Sequence, residues 1–141
     1  MSLAEADARP SPVGSPAART HRRARLLLVE DNADALRYLA AMLGHRGYEV
    51  VTASRVEEAR AAAAASRFDL LISDIELPDG DGLELMRSHR GRLVGLAISG
   101  FGSDSDVRLS LDAGFSAHLT KPVDFARLEA AILKALGDPP P

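Results

Sequence analysis

The 141-residue sequence contains no cysteine. That excludes disulfides, thiolate metal sites and a cysteine nucleophile, and it suits a reducing cytoplasm. No apolar run approaches the roughly 20 residues needed to cross a bilayer, so no membrane association is expected. The first residues hold no apolar core of the signal-peptide kind, and secretion is not expected either. Charge of one sign is scarce too. A net charge of −3 gives no reason to expect nucleic acid as a partner of this chain. What is there, 46% hydrophobic and 26% charged residues, suits one globular domain with a single sizeable core.

Residues 1–24 are expected to be an unstructured tail, because Pro10, Pro12, Gly14, Ser15 and Pro16 break any periodicity. The basic run His21-Arg22-Arg23 within it reads as a solvated approach to the first strand. One domain is expected over 25–136, with a second tail at 137–141. Short apolar runs alternate inside it with stretches of helical spacing, such as Leu36, Leu39, Ala40 and Leu43, or Phe125, Leu128, Ile132 and Ala135. Five strands and five helices in strict alternation predict a doubly wound α/β fold with helices on both faces of a parallel sheet. The segment 75–82 carries turn chemistry throughout and is read as a loop.

Four apolar runs end in residues that can handle a phosphoryl group. The run 25–29 meets Glu30 and Asp31, 68–73 meets Asp74, 93–98 meets Ser99, and 115–120 meets Lys121 and Pro122. Ligands of open parallel sheets sit beyond the carboxyl ends of the strands, so these residues are expected at one rim. Carboxylates crowded together need a proton or a cation between them. A hard ion with oxygen ligands, Mg²⁺, is the natural choice. Asp31 and Asp74 are the expected direct ligands, Glu30 acts through a water, and the backbone carbonyl of Glu76 adds an oxygen. Asp74 is the candidate nucleophile, Lys121 the neutralising cation and Ser99 a hydrogen-bond donor. Each has a bland alternative: a helix cap, a turn residue, a loop hydroxyl, a surface lysine. Only their conjunction at four successive strand ends argues for a site.

Those residues carry a family resemblance. Val29-Glu30-Asp31-Asn32, the run from Ile72 through Asp74 to Gly82, Ala97-Ile98-Ser99-Gly100 and Leu119-Thr120-Lys121-Pro122-Val123 resemble the receiver domain of two-component response regulators. The resemblance implies a flavodoxin-like five-stranded sheet of order 2-1-3-4-5 and a cis Lys121–Pro122 bond. It implies a cytoplasmic signal-transduction phosphoprotein and phosphorelay member rather than an enzyme in the conventional sense, although it catalyses its own Mg²⁺-dependent phosphorylation and dephosphorylation. Asp74 would take a phosphoryl group from a sensor histidine kinase or histidine phosphotransfer protein. Glu30 and Asp31 would be the acidic pair for Mg²⁺, Ser99 the switch hydroxyl and Lys121 the phosphoryl-binding lysine. A downstream protein target would engage the last two helices and fifth strand. Glu76 and Phe101 occupy positions that tune how water reaches the acyl phosphate. His118 stands where the family often has a switching aromatic, and reads either as a switch or as an exposed strand residue. The stretch between Asp74 and Ser99 is shorter than usual, which is expected to affect the kinase-docking rim. Little chain follows Lys121, so the sequence fits a stand-alone regulator or the receiver of a hybrid kinase.

Overall fold

The structure, a computed structural model, describes residues 24–137. The expected tails lie outside the described residues, apart from Ala24 and Gly137. Ala24 is not tail-like: it is 5% exposed within a core cluster, and its carbonyl accepts from the Glu49 N–H at 3.0 Å.

In chain order the elements are β1 (Arg25–Val29), α1 (Ala33–His45), β2 (Glu49–Ala53), α2 (Val56–Ala65), β3 (Leu70–Asp74), β4 (Glu76–Leu77), β5 (Gly80–Asp81), α3 (Gly82–Ser88), β6 (Gly95–Ser99), α4 (Asp104–Ala113), β7 (Ala117–Thr120) and α5 (Phe125–Ala135). The main sheet runs β2-β1-β3-β6-β7, all pairs parallel. Counted among its own strands, that is the expected order 2-1-3-4-5. The difference lies at 76–81, read as plain loop. It closes as a small antiparallel hairpin pairing Glu76 with Asp81.

Side chains alternate across a strand, and the core follows that period. Leu26 and Leu28 of β1 face Leu39 and Leu43 of α1 and Leu128 and Ile132 of α5. Leu27 and Val29 fall in the other cluster, with Ala59 of α2 and Leu85 and Met86 of α3. Buried on both faces, β3 and β6 read as continuous apolar runs, as central parallel strands do.

The helix starts are capped by short polar side chains. Asn32 accepts from the Ala35 N–H at 2.9 Å, and Ser103 forms a capping box with Asp106. At the start of α2, Arg55 makes no side-chain cap bond. Asp79 supplies the cap from the hairpin, accepting from the N–H groups of Val56 at 2.7 Å and Glu57 at 3.0 Å. Asp81 caps α3, accepting from the Glu84 N–H at 2.8 Å. Both aspartates of the Asp79-Gly80-Asp81-Gly82 run are thus occupied by helix ends.

Gly82 begins α3 against the end of β3. A Cβ there would run into the Asp74 carbonyl oxygen and lie 3.0 Å from Ser73 Oγ. Gly44, near the end of α1, has nothing within 4 Å of its hypothetical Cβ. Gly82→Ala should therefore cost about 1–3 kcal/mol by overpacking. Gly44→Ala should be neutral or stabilise by up to about 1 kcal/mol. Urea unfolding of the two variants checks the contrast; equal stabilities would contradict it.

Candidate functional site

Strand register assembles the rim. Val29 pairs with Ser73, which sets Glu30 level with Asp74. Asp74 pairs with Ile98, and Ser99 is the next residue. Ser99 pairs with Thr120, and Lys121 follows. Backbone bonds hold these ends beyond the last pairs: Glu30 N–H to the Ala53 carbonyl (3.0 Å), Ile75 N–H to Ile98 (3.0 Å) and Lys121 N–H to Ser99 (2.7 Å). The Lys121–Pro122 bond is cis.

The side chains converge accordingly. Asp74 is 1% exposed and Glu30 3%. Lys121 Nζ lies 2.7 Å from Asp74 Oδ1 and 3.2 Å from Glu30 Oε1. The Asn32 N–H donates to Glu30 Oε2 at 3.0 Å. Asp31 is exposed at the mouth. Oxygens of Glu30, Asp31 and Asp74 lie within 4.8 Å of one another, the one acidic cluster of metal-binding spacing among the described residues. Both Asp74 carboxylate oxygens are buried without an aligned hydrogen bond, the contact with Lys121 being an ion pair. Buried acceptors without donors are costly, and here they face an all-oxygen donor set. That combination fits a hard divalent cation.

Burial, reinforced by the neighbouring Glu30, pushes the Asp74 carboxyl up from 3.8 to about 7 against the pull of Lys121. Burial alone would raise Glu30 as well. Its contacts with Asp74, the Asn32 N–H and Lys121 outweigh burial and hold it below the usual range. Burial would lower the Lys121 amine, but Asp74 and Glu30 outweigh it and keep the amine above its usual value. The cation-free site therefore keeps its last proton on Asp74.

Ser99 is 1% exposed and turned elsewhere. Its hydroxyl donates to the Glu76 carboxylate, at 3.0 Å to Oε2 and 3.3 Å to Oε1, and accepts from the Phe101 N–H at 3.0 Å. The Glu76 side chain is thus Ser99's partner and lies outside the acidic cluster. Phe101 is 60% exposed and is tied to the site by its backbone. Its carbonyl accepts from His118 Nε2 at 2.8 Å, while His118 Nδ1 lies 2.7 Å from Ser110 Oγ. His118 is therefore a half-buried bridge between the 99–103 loop and α4, not an exposed strand residue. Nothing in the local sequence around Ser99, Glu76 or Ser110 signals these bonds, because each joins different elements.

A cavity of about 510 Å³ opens beside the site, lined by residues that include Ala35, Tyr38, Lys121 and Val123. The short exit of α3 lies at the opposite end of the sheet, where β6 begins.

Comparison with known proteins follows the same lines. Residues 26–133 match the family model described as the response regulator receiver domain. The chain is 36% identical over 118 residues to the response regulator protein PilR of Pseudomonas aeruginosa, covering 81% of this chain and 26% of that protein. It is 34% identical over 113 residues to the KDP operon transcriptional regulatory protein KdpE of Escherichia coli, covering 79% of this chain and 50% of that one. The crystal structure of a CheY-like response regulator receiver domain protein from Methanospirillum hungatei superposes with a TM-score of 0.77 at 32% identity, covering 82% of this chain and 94% of that one. The chain thus spans half or less of the length of these two curated relatives.

The displaced acidity of Asp74 generates a test. Its folded value lies above its unfolded one, so its contribution to stability is full below the unfolded value of 3.8 and is lost as pH rises through about 7. In chelator, Asp74→Asn should stabilise the protein by about 1–3 kcal/mol at about pH 8, and by much less at about pH 5. Urea unfolding at the two pH values measures it. A pH-independent difference would refute the assignment of the proton to Asp74.

Proposed function

The chain belongs to the response regulator receiver domain family, and from that premise we propose that Asp74 accepts a phosphoryl group from a phosphohistidine in a two-component phosphorelay. The observation that carries this reading is the state of Asp74: buried at the end of the central strand, 2.7 Å from Lys121, with neither oxygen in an aligned hydrogen bond.

An Asp74 oxygen attacks phosphorus. The new O–P bond forms as the N–P bond to the donor imidazole breaks, and the electron pair leaves with the imidazole nitrogen, which takes up a proton. Lys121 pulls the Asp74 carboxyl toward the ionised form needed for attack and then neutralises a phosphoryl oxygen. Glu30, fixed by the Asn32 N–H, and Asp31 at the mouth would hold Mg²⁺ with Asp74, and the Glu76 backbone carbonyl would add an oxygen. When bound, Mg²⁺ supplies charge compensation for the transferring group. Ser99 must exchange Glu76 for a phosphoryl oxygen before its hydroxyl can serve the product.

The donor is a sensor histidine kinase or histidine phosphotransfer protein, which the cavity beside Tyr38 would receive. The output is altered binding of a protein target over α4, β7 and α5, where Leu109 is 51% and Leu111 46% exposed. No described helix is long and apolar enough to cross a membrane. Within this reading the chain works in the cytoplasm, as a stand-alone regulator or as the receiver of a longer protein.

Acetyl phosphate with Mg²⁺ should add one phosphoryl group to the protein, and Asp74→Asn should abolish the addition. Full labelling of the Asn variant, read by intact mass, would sink the proposal. Asp31→Asn should weaken Mg²⁺ binding at least about tenfold by removing a charged ligand. Unchanged Mg²⁺ affinity by titration would move the ligand role to Glu30.

A further inference from the structure

The far end of the molecule holds a second feature. A groove of about 560 Å³ runs between the carboxyl ends of α2 and α3, at the amino ends of β3 and β6, and is continuous with a further 340 Å³. Arg60, Arg67, Arg92 and His89 line it over a floor that includes Ala63.

Its charge is unbalanced. Arg25, Arg37, Arg46, Arg55 and Arg87 each pair with a carboxylate. Among the described residues, no ion pair is formed by Arg60, Arg67 or Arg92. The groove's one lining carboxylate, Asp69, accepts from the Arg25 backbone N–H at 2.8 Å. Two guanidinium groups are also gathered at one residue: Arg60 donates to Ser88 Oγ at 3.1 Å and Arg92 to the Ser88 carbonyl at 3.0 Å. Holding two like charges together on neutral acceptors is unfavourable unless an anion compensates them. Guanidinium forks suit carboxylates in particular.

We propose that this groove docks an acidic helical segment of a partner protein, its carboxylates meeting Arg60, Arg92 and Arg67 in turn. Arg92, which meets Arg60 at Ser88, lines both parts of the groove, with Arg60 in one part and Arg67 in the other. Arg60 lies within α2, whereas Arg67 follows the end of that helix at Ala65. Carboxylates at successive four-residue intervals on a helix fall in a row along one face, as these arginines do along the groove. Ala63 keeps the floor low enough for a helix to approach. Three arginines fall short of the roughly 6–10 phosphate contacts of a committed DNA binder, and the net charge is −3. The groove lies at the opposite end of the sheet from Asp74, so the proposal stands or falls apart from the role of Asp74.

The test uses the full chain and a fluorescent alanine-rich helical peptide carrying Glu at four-residue intervals. Anisotropy should show saturable binding that weakens several-fold between about 50 and 200 mM salt. Arg60→Ala/Arg92→Ala should weaken it at least about tenfold, the scale of lost charge-assisted bonds. Arg37→Ala/Arg55→Ala, changed at exposed positions outside the groove, should bind as wild type does. The Gln version of the peptide should not bind. Should the alanine pair unfold in a thermal melt, Arg60→Gln/Arg92→Gln replaces it. No saturation, equal loss in the control variant, or tighter binding of duplex DNA to the same arginines would overturn the proposal.

Discussion

One lysine facing two buried carboxylates is the constraint on which the rim depends. Glu30 and Asp74 cannot both ionise in a dry pocket without a cation, and Lys121 is the only one the chain provides there among the described residues. A single positive charge does not balance three acids. The imbalance favours a proton on Asp74 when nothing else is bound, and a second cation would displace it. Under the proposed function, stability and reactivity are opposed at one atom pair. Sites that act on charged substrates commonly keep such a conflict, which well-packed apolar residues would have removed.

The parallel register turns that local conflict into a built site. Glu30 and Lys121 follow the last pairs of their strands, Asp74 and Ser99 sit in the last pairs of theirs, and the backbone bonds at Glu30, Ile75 and Lys121 hold these ends. A one-residue slip would swap faces and send Asp74 into the apolar layer. The two leucine-rich core clusters, one on each side of the sheet, are what make such a slip expensive. Packing far from the rim therefore sets the geometry at the rim.

Much of this was legible in the sequence because strand ends are marked by abrupt changes from apolar to polar residues. Glu30, Asp74, Ser99 and Lys121 were found that way, and the sheet order followed from the family resemblance. Contacts between elements were not legible. The bond of Ser99 to Glu76, the His118 bridge to Phe101 and Ser110, and the capping of α2 by Asp79 all join segments that no local pattern connects. Boundaries erred where burial outruns composition. Ala24 looked like tail because it follows a basic run, yet it lies in the core.

The cap that Asp79 lends to α2 bears on how this chain can vary. Surface loops usually tolerate inserted or deleted residues. The segment after Asp74 does not have that freedom, since Asp79 must reach the Val56 and Glu57 N–H groups while Asp81 reaches Glu84. Its length is set at both ends by helices that would otherwise fray. An indel here would uncap two helices at once, so the loop beside Asp74 should be among the least length-variable parts of the fold.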